Sequence, residues 1–114
     1  MQELPVIQKT YDLIKWYIPI LNRLPKAHKF GLGDRMINIL YDLLESLITA
    51  RYSINKLQIL EPLNAKIDIL RHLTRLLSDL KLIENPRYEY ASQYIDQIGM
   101  EIGGWLKQVK SNKK

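Results

Sequence analysis

Apolar residues recur at three- and four-residue spacing along four stretches of the chain, and proline and glycine fall mostly between those stretches. This spacing is typical of amphipathic α-helices, and no stretch of useful length alternates apolar and polar residues as a half-buried strand would. The pattern predicts helices over residues 5–24, 34–54, 62–83 and 88–109. Because the predicted connections are short, the expected fold is all-α, an up-down-up-down antiparallel four-helix bundle.

Proline, glycine and capping residues set the predicted ends of these helices. Asp34 is expected to cap the second helix, since its carboxylate can accept hydrogen bonds from the free N–H groups there. Pro62 is expected in the first turn of the third helix, where its missing N–H is not needed. Asn85 and Pro86 are expected to stop that helix. The GLG segment at 31–33 lacks the full G-x-G-x-x-G pattern of a phosphate loop and is predicted to be a turn.

The second and third helices are apolar over more of their circumference than a bundle core requires. A core-facing stripe needs an arc of roughly 100°, whereas polar residues occupy only a narrow stripe of the second helix. Excess apolar surface of this kind usually contacts another subunit. The pattern therefore predicts self-association, and the alternative is a thick core with some tolerated surface leucines.

Length and composition limit the possible class of protein. The 114 residues are enough for one domain with its own core, expected over residues 1–114 with a basic tail at 110–114. Lysine and arginine number 17 against 12 acidic residues, a formal charge of +5, which permits an anionic partner. Cysteine is absent, which suits a reducing compartment, so the cytoplasm is expected. No segment has the pattern of a membrane span or a signal peptide.

Candidate catalytic and metal-binding residues are few and weakly supported. Arg23 and His28 have the spacing used by some all-helical ribonucleases, where such a pair serves acid–base catalysis and phosphate binding. Those enzymes hold the two side chains on helical backbone, whereas Pro25 interrupts the helix here. His72 has no second histidine or carboxylate at a metal-ligand spacing such as H-E-x-x-H. The expectation is a protein that is not an enzyme, with no catalytic residue, metal or other cofactor.

Basic residues form the remaining group of interest. In an antiparallel bundle the first and third connections lie at one end, and the second connection lies at the other end with both termini. Lysine and arginine on these rims can neutralise phosphates without reading bases, giving salt-sensitive binding to RNA or DNA. The alternative is an ordinary solvated surface. The candidate nucleic-acid-binding residues are Lys26, Lys29, Arg35, Arg71, Arg75, Arg87 and Lys107.

Two further cations and a group of glycines indicate contacts with another surface. Arg51 and Lys66 each project toward the middle of an otherwise apolar arc, and snorkelling past the bundle end is the alternative interpretation. The segment IGMEIGGWLK, residues 98–107, places three glycines in a predicted helix, although each costs about 1 kcal/mol relative to alanine there. A strip without side chains would let a neighbouring helix or subunit approach closely. The candidate subunit or partner contacts are Arg51, Lys66, Gly99, Gly103 and Trp105.

Two motifs resemble those of a known family. LPKAHKFGLGDRM at 24–36 and IGMEIGGWLK at 98–107 are similar to motifs of the accessory variability determinant proteins of diversity-generating retroelements, and the similarity covers nearly the whole chain. The same four-helix-bundle superfamily includes proteins encoded in ribosomal RNA intervening sequences. That branch typically continues into a segment ending in N-I-A-E-G, where this chain has INILYDLLESLITARYS. The difference favours the retroelement branch.

This resemblance implies a function that composition alone cannot name. It implies a homopentameric barrel of four-helix bundles that binds the reverse transcriptase of the element and nucleic acid. Such a protein supports mutagenic copying of a template RNA into complementary DNA and retrohoming, while the polymerase chemistry belongs to its partner. The alternative is an oligomeric scaffold of the intervening-sequence type with an unrelated partner.

Overall fold

The computed structural model describes residues 4–112, in which helices are the only regular secondary structure. The long helices are α1 at Pro5–Asn22, α2 at Asp34–Tyr52, α3 at Lys56–Asp79 and α4 at Asn85–Asn112. A helical turn at Lys26–His28 and a π-helical turn at Lys29–Gly33 lie between α1 and α2. The all-α class predicted from the sequence is confirmed.

Each long helix packs against two others. Helix α1 contacts α2 and α4, and α3 also contacts α2 and α4. Consecutive helices run antiparallel because their connections are too short to span the length of the bundle, which measures 50 × 24 × 21 Å. The connection end comprises residues 23–35 and 80–87. The terminal end comprises residues 4–9, 51–56 and 107–112.

Aliphatic side chains from all four helices form one core. The largest fully buried side chains are Leu13, Tyr17, Leu21, Met36, Leu40, Leu43, Leu47, Leu60, Leu63, Leu70, Leu77 and Ile95. The Tyr17 and Thr74 hydroxyl oxygens lie 2.9 Å apart in a hydrogen bond that joins α1 to α3 through the centre. Burial raises the pKa of Tyr17 to about 12, and the hydrogen bond with Thr74 opposes part of that rise. Within residues 4–112, no buried side-chain nitrogen or oxygen lacks a hydrogen-bond partner.

Helices α3 and α4 begin earlier than the sequence predicts. Helix α3 starts at Lys56 rather than at residue 62, so Pro62 lies inside it. One lost backbone hydrogen bond near the helix start is tolerated because flanking residues such as Leu63 are buried in the core. Helix α4 starts at Asn85, with Pro86 in its first turn, where a missing N–H costs no hydrogen bond. The prediction that Pro62 begins the third helix is therefore wrong.

Helix α3 also ends earlier, at Asp79 rather than at residue 83. Lys81 adopts a left-handed conformation with φ of 61°. The Leu82 N–H donates to the Leu77 carbonyl at 2.8 Å. The Lys81 N–H donates to the Ser78 carbonyl at 2.9 Å. These bonds form a Schellman motif, which satisfies the last carbonyls and stops the helix.

The other helix ends differ from the prediction by two or three residues. Helix α1 ends at Asn22 rather than 24, and α2 ends at Tyr52 rather than 54. Helix α4 continues to Asn112, so the first part of the predicted basic tail is helical. The last part of that tail, residues 113–114, lies outside the described residues.

From Lys26 onward the first connection is helical rather than a turn. Its backbone runs into α2 without interruption, and Asp34 forms no side-chain cap, so both predictions about this segment are wrong. Gly33 is buried, and a Cβ atom there would lie 3.3 Å from the Leu21 carbonyl oxygen and 3.4 Å from Leu24 Cδ1. Gly33 therefore lets the connection pack closely against the end of α1. Gly31 has no such neighbour within 4 Å.

Apolar side chains remain exposed on the outer faces of α2 and α3. Tyr41, Ile48, Ile69 and Leu76 are between 41% and 50% exposed. The wide apolar arcs predicted from the sequence are therefore partly accessible to solvent in the single chain. In the part of the chain that the structure describes, no helix has the length and apolar character needed to cross a bilayer.

Candidate nucleic-acid interface

The first connection concentrates basic side chains at one end of the bundle. Arg23, Lys26, Lys29 and Arg35 lie within it, and Asp34 is its single carboxylate. Arg23, Lys26 and Arg35 are exposed and form no ion pair with any residue of 4–112. A lysine or arginine without a carboxylate partner can bind a phosphate without first breaking an ion pair. This segment is therefore the strongest candidate for contact with nucleic acid.

Phe30 projects from the π-helical turn among these cations. Its side chain is 63% exposed, and Lys29 Nζ lies 5.5 Å from the ring centroid. Phe30 and Arg35 line one groove between α2 and α3, which also includes Ile39 and Ile69. Phe30 is absent from the candidate site residues predicted above, although an aromatic residue inside a basic segment is a signal that sequence alone provides.

Arg87 lies at the same end of the bundle, but its surroundings are less basic. It is exposed and has no ion-pair partner among residues 4–112. Lys81 precedes it on the third connection, whereas Asp79, Glu84 and Glu89 bring three carboxylates to that region. The third connection therefore adds little net positive charge, and the connection end is basic mainly through the first connection.

Arg71 and Arg75 already have carboxylate partners. Arg71 Nε donates to Asp96 Oδ1 at 2.7 Å, which joins α3 to α4. A Cβ atom at Gly99 would lie 3.0 Å from Arg71 Nη2, so this glycine leaves room for the guanidinium. Arg75 Nε lies 3.8 Å from Asp79 Oδ2. A phosphate bound at either arginine would have to share the guanidinium with the carboxylate or displace the carboxylate from it.

Lys107 is far from the other predicted cations. It is exposed, and no carboxylate among residues 4–112 pairs with it. It shares α4 with Arg87 but lies about 30 Å farther along the helix axis, at a rise of about 1.5 Å per residue. The predicted residues therefore do not form one surface. Lys26, Lys29, Arg35 and Arg87 lie at the connection end, Arg71 and Arg75 along α3, and Lys107 at the terminal end.

Lys56 serves the fold at the terminal end. Its ammonium nitrogen donates to the carbonyls of Ala50, Arg51 and Ser53 at 3.0, 3.0 and 2.8 Å. These carbonyls lie at the C-terminal end of α2, where the helix dipole favours a positive charge. Lys56 is not among the residues predicted from the sequence, because a lysine shortly after a helix is too common to signal a cap.

Two other lysines near this end pair with carboxylates on neighbouring helices. Lys9 Nζ lies 3.7 Å from Glu101 Oε2, which links α1 to α4. Lys110 Nζ lies 3.9 Å from Glu61 Oε2, which links α4 to α3. The Lys110–Glu61 pair is exposed, and such pairs contribute about 0–1 kcal/mol. The positive charge of both lysines is partly neutralised in place.

The two cations predicted as subunit or partner contacts interact within their own chain. Lys66 Nζ lies 3.8 Å from Asp42 Oδ2, which bridges α3 and α2. The Arg51 guanidinium carbon lies 5.5 Å from the centroid of the Tyr52 ring. The structure thus gives each of them a partner in the single chain.

The glycine strip predicted on the last helix divides into two parts. Gly99 packs against Arg71 of α3, whereas Cβ positions at Gly103 and Gly104 would meet no atom within 4 Å. Trp105 is half-buried and lines an apolar groove between α1 and α4 together with Gly104. The close approach of another helix that was expected at Gly99 occurs within the chain, between α4 and α3. Gly103 and Gly104 face outward.

The described residues offer no metal site. No group of three or more histidine, cysteine, aspartate or glutamate side chains within residues 4–112 is placed to hold a metal ion. His72 is exposed, and its Nδ1 lies 2.8 Å from the carbonyl oxygen of Asp68 on its own helix.

Comparison with known proteins identifies a relationship over almost the whole chain. A family model described as bAvd-like matches residues 4–109. The match includes the first three helices, the last helix up to residue 109, and the first connection with its basic residues. No curated protein matches the sequence.

Proposed function

Because the chain belongs to the bAvd-like family, the accessory variability determinant proteins of diversity-generating retroelements, we propose that it is a non-enzymatic accessory protein of such an element. In this role it binds the reverse transcriptase of the element together with RNA or DNA. The polymerase carries out the chemistry, and the accessory protein supports mutagenic reverse transcription and retrohoming. The absence of cysteine in the sequence supports a cytoplasmic location.

The observation that carries the nucleic-acid part of this proposal is the charge of the first connection. Arg23, Lys26 and Arg35 are exposed and have no carboxylate partner among residues 4–112. Lys26, Lys29 and Arg35 form the centre of the proposed phosphate-binding surface, because they follow one another on a single helical segment. Arg87 extends this surface, and Lys107 contributes at a separate place.

Self-association is the second part of the proposal. Tyr41 and Ile48 on α2 and Ile69 and Leu76 on α3 are partly exposed apolar side chains, and burying them against other copies would remove apolar area from water. The family suggests a homopentameric barrel. Light scattering on the purified protein tests it: the expected mass is five times the 13.5 kDa of the chain, and a clean monomer would contradict it.

Two other functions remain as competing proposals. In the first, the protein is an oligomeric scaffold with an unrelated partner, and its charge serves only solubility. In the second, Arg23 and His28 act as a ribonuclease pair on the first connection. Incubation of purified protein with RNA tests the second, which requires cleavage that persists on purification and is lost on His28→Ala.

Binding to generic RNA and DNA across a salt series tests the proposed function directly. The affinity should fall linearly with the logarithm of salt concentration, because bound phosphates release counterions. Absence of binding at low salt, or binding that salt does not weaken, would support the scaffold instead. A separate measurement is copurification with a reverse transcriptase of the same retroelement, and failure of the two proteins to associate would contradict the partner assignment.

A further inference from the structure

We propose that Phe30 is a stacking platform for a base of single-stranded nucleic acid, with Lys26, Lys29 and Arg35 holding the flanking phosphates. This inference rests on the proposed function and adds to it the strandedness of the ligand. It also gives base recognition to Phe30, which is not among the basic residues that the sequence predicts to bind nucleic acid.

The exposure of Phe30 is the first observation behind this inference. A phenyl ring that is 63% exposed contributes little to the core, and its one aromatic or cationic contact in the described chain is Lys29 Nζ at 5.5 Å. A nucleobase lying on this ring would remove apolar surface from water on both partners. In a duplex the base faces are already stacked on one another, whereas a single strand leaves them free. A flat aromatic surface therefore selects single strands.

The groove beside the ring has room and polar groups for a base. Gly31 follows Phe30, and a Cβ atom at this glycine would meet nothing within 4 Å. Asn38 lines the same groove, and its side-chain amide supplies hydrogen-bond donors for the edge of a base. Asp34 and Asp42 also line the groove and would repel a phosphate. The phosphates are therefore placed toward Lys26, Lys29 and the Arg35 guanidinium, and the base lies in the groove.

Tyr52 is another exposed aromatic residue beside a cation, but its surroundings differ from those of Phe30. Tyr52 is 74% exposed and has Arg51 at 5.5 Å from its ring. The nearby ammonium of Lys56 is occupied by three carbonyls of α2. Tyr52 therefore has the exposure and a neighbouring cation but lacks the surrounding unpaired cations of the first connection. It provides a matched control for the experiment.

The test measures the affinity of the full-length protein for a labelled RNA of about 20 nucleotides, single-stranded or as a duplex, long enough to cover more than one site. Phe30→Ala and Phe30→Leu should weaken binding to the single strand at least about fivefold, the lower range for loss of a stacked base. Phe30→Tyr and Phe30→Trp keep a flat ring and should restore the affinity. Binding to the duplex and the Tyr52→Ala control should remain unchanged.

Salt dependence separates stacking from charge. Phe30→Ala should leave the slope of log affinity against log salt unchanged, because stacking releases no counterions. Lys26→Ala should reduce that slope by about 0.7 on the single strand, the value for one phosphate contact. Thermal unfolding and light scattering of each variant check that fold and assembly are retained.

Three results would overturn the inference. The first is an unchanged single-strand affinity in both Phe30→Ala and Phe30→Leu. The second is an equal loss on single strand and duplex. The third is dissociation of the oligomer by Phe30→Ala with recovery of both assembly and binding by Phe30→Leu, which would make the ring an apolar subunit contact. These outcomes leave binding by the lysines intact, whereas failure of the unaltered protein to bind any nucleic acid at low salt would refute the proposed function itself.

Discussion

At the terminal end of the bundle, three of the four described lysines interact with carbonyls or carboxylates and Lys107 is the exception, whereas the cations of the first connection have no carboxylate partner among residues 4–112. Lys56 donates three hydrogen bonds to the last carbonyls of α2, and Lys110 pairs with Glu61. Lys26 and Arg35 have no carboxylate partner among residues 4–112 and are exposed. The two ends thus contain the same residue types in different environments.

Total charge is therefore a poor guide to a binding surface. A formal charge of +5 counts Lys56 and Lys26 equally. Of these two lysines, only Lys26 can bind a phosphate without losing an interaction that the fold uses. Substitutions at the two ends of the bundle test this contrast.

Removing cations of the first connection that have no carboxylate partner should have the largest effect on RNA binding. The variant Lys26→Ala, Lys29→Ala, Arg35→Ala should lose RNA affinity on the order of 100-fold at about 0.1 M salt, since three single-strand contacts contribute a slope of about 2. The control removes the same charge from paired lysines: Lys9, Lys66 and Lys110. Equal losses in the two triple variants would show that net charge, rather than location, determines binding.

Disturbing the packing of the first connection against α1 should have the next largest effect, a loss of folding stability. In Gly33→Leu the new side chain would press on the Leu21 carbonyl and on Leu24, which are already 3.3 and 3.4 Å from the Cβ position. The free energy of unfolding should fall by about 1–3 kcal/mol, the usual cost of overpacking. Gly31→Ala, at an open helical position, should instead stabilise the protein by up to about 1 kcal/mol. Denaturant unfolding measures both, and a harmless Gly33→Leu would contradict the close approach.

The capping role of Lys56 predicts a smaller loss of stability. Lys56→Met keeps the apolar stem but removes the donor to the Ala50, Arg51 and Ser53 carbonyls. The free energy of unfolding should fall by about 1–2 kcal/mol, because charge-assisted bonds at a helix C-terminus are lost. RNA affinity should stay almost unchanged. The matched variant Lys26→Met should weaken RNA binding and leave the free energy of unfolding almost unchanged. Destabilisation of both variants to the same extent would contradict the contrast between the two ends of the bundle.

Substitution of an outward-facing glycine should have the smallest effect on the folding stability of the single chain. Gly103→Ala should raise helix stability by up to about 1 kcal/mol, since no atom lies within 4 Å of the Cβ position. Gly103→Leu should harm assembly more than folding if another subunit approaches this face. Light scattering and thermal unfolding distinguish the two effects. An unchanged oligomer in Gly103→Leu would place the subunit contacts elsewhere, such as on the exposed apolar faces of α2 and α3.

Helix ends show where local sequence rules were insufficient. The rule that proline belongs in a first turn holds for Pro86 but not for Pro62, which lies inside α3 because burial of its neighbours outweighs one lost hydrogen bond. Lys81 ends α3 in a left-handed conformation that usually favours glycine or asparagine. At Pro62 tertiary packing overrides a weaker local preference, whereas at Lys81 the backbone hydrogen bonds of the Schellman motif accompany the unusual conformation.

The candidate site was predictable in part. Lys26, Lys29 and Arg35 were identified from a basic segment between two apolar patterns, and the structure places them at one end. Arg71 could not be separated from them by sequence, because its partner Asp96 lies on another helix. Lys107 was expected at the opposite end, because an antiparallel bundle places both termini there, and the structure has it at that end.

Apolar periodicity and short motifs are local properties of the chain, so the helical class, the order of the helices and the family can be inferred from the sequence. The packing of the helices is needed to tell which cations have carboxylate partners, which glycines permit close packing and which apolar side chains stay exposed. Gly99 and Gly103 illustrate the difference, since one lies against Arg71 and the other faces open space. Such distinctions depend on which residues meet across helices, and helix–helix contacts between distant parts of the chain leave no fixed spacing in the sequence.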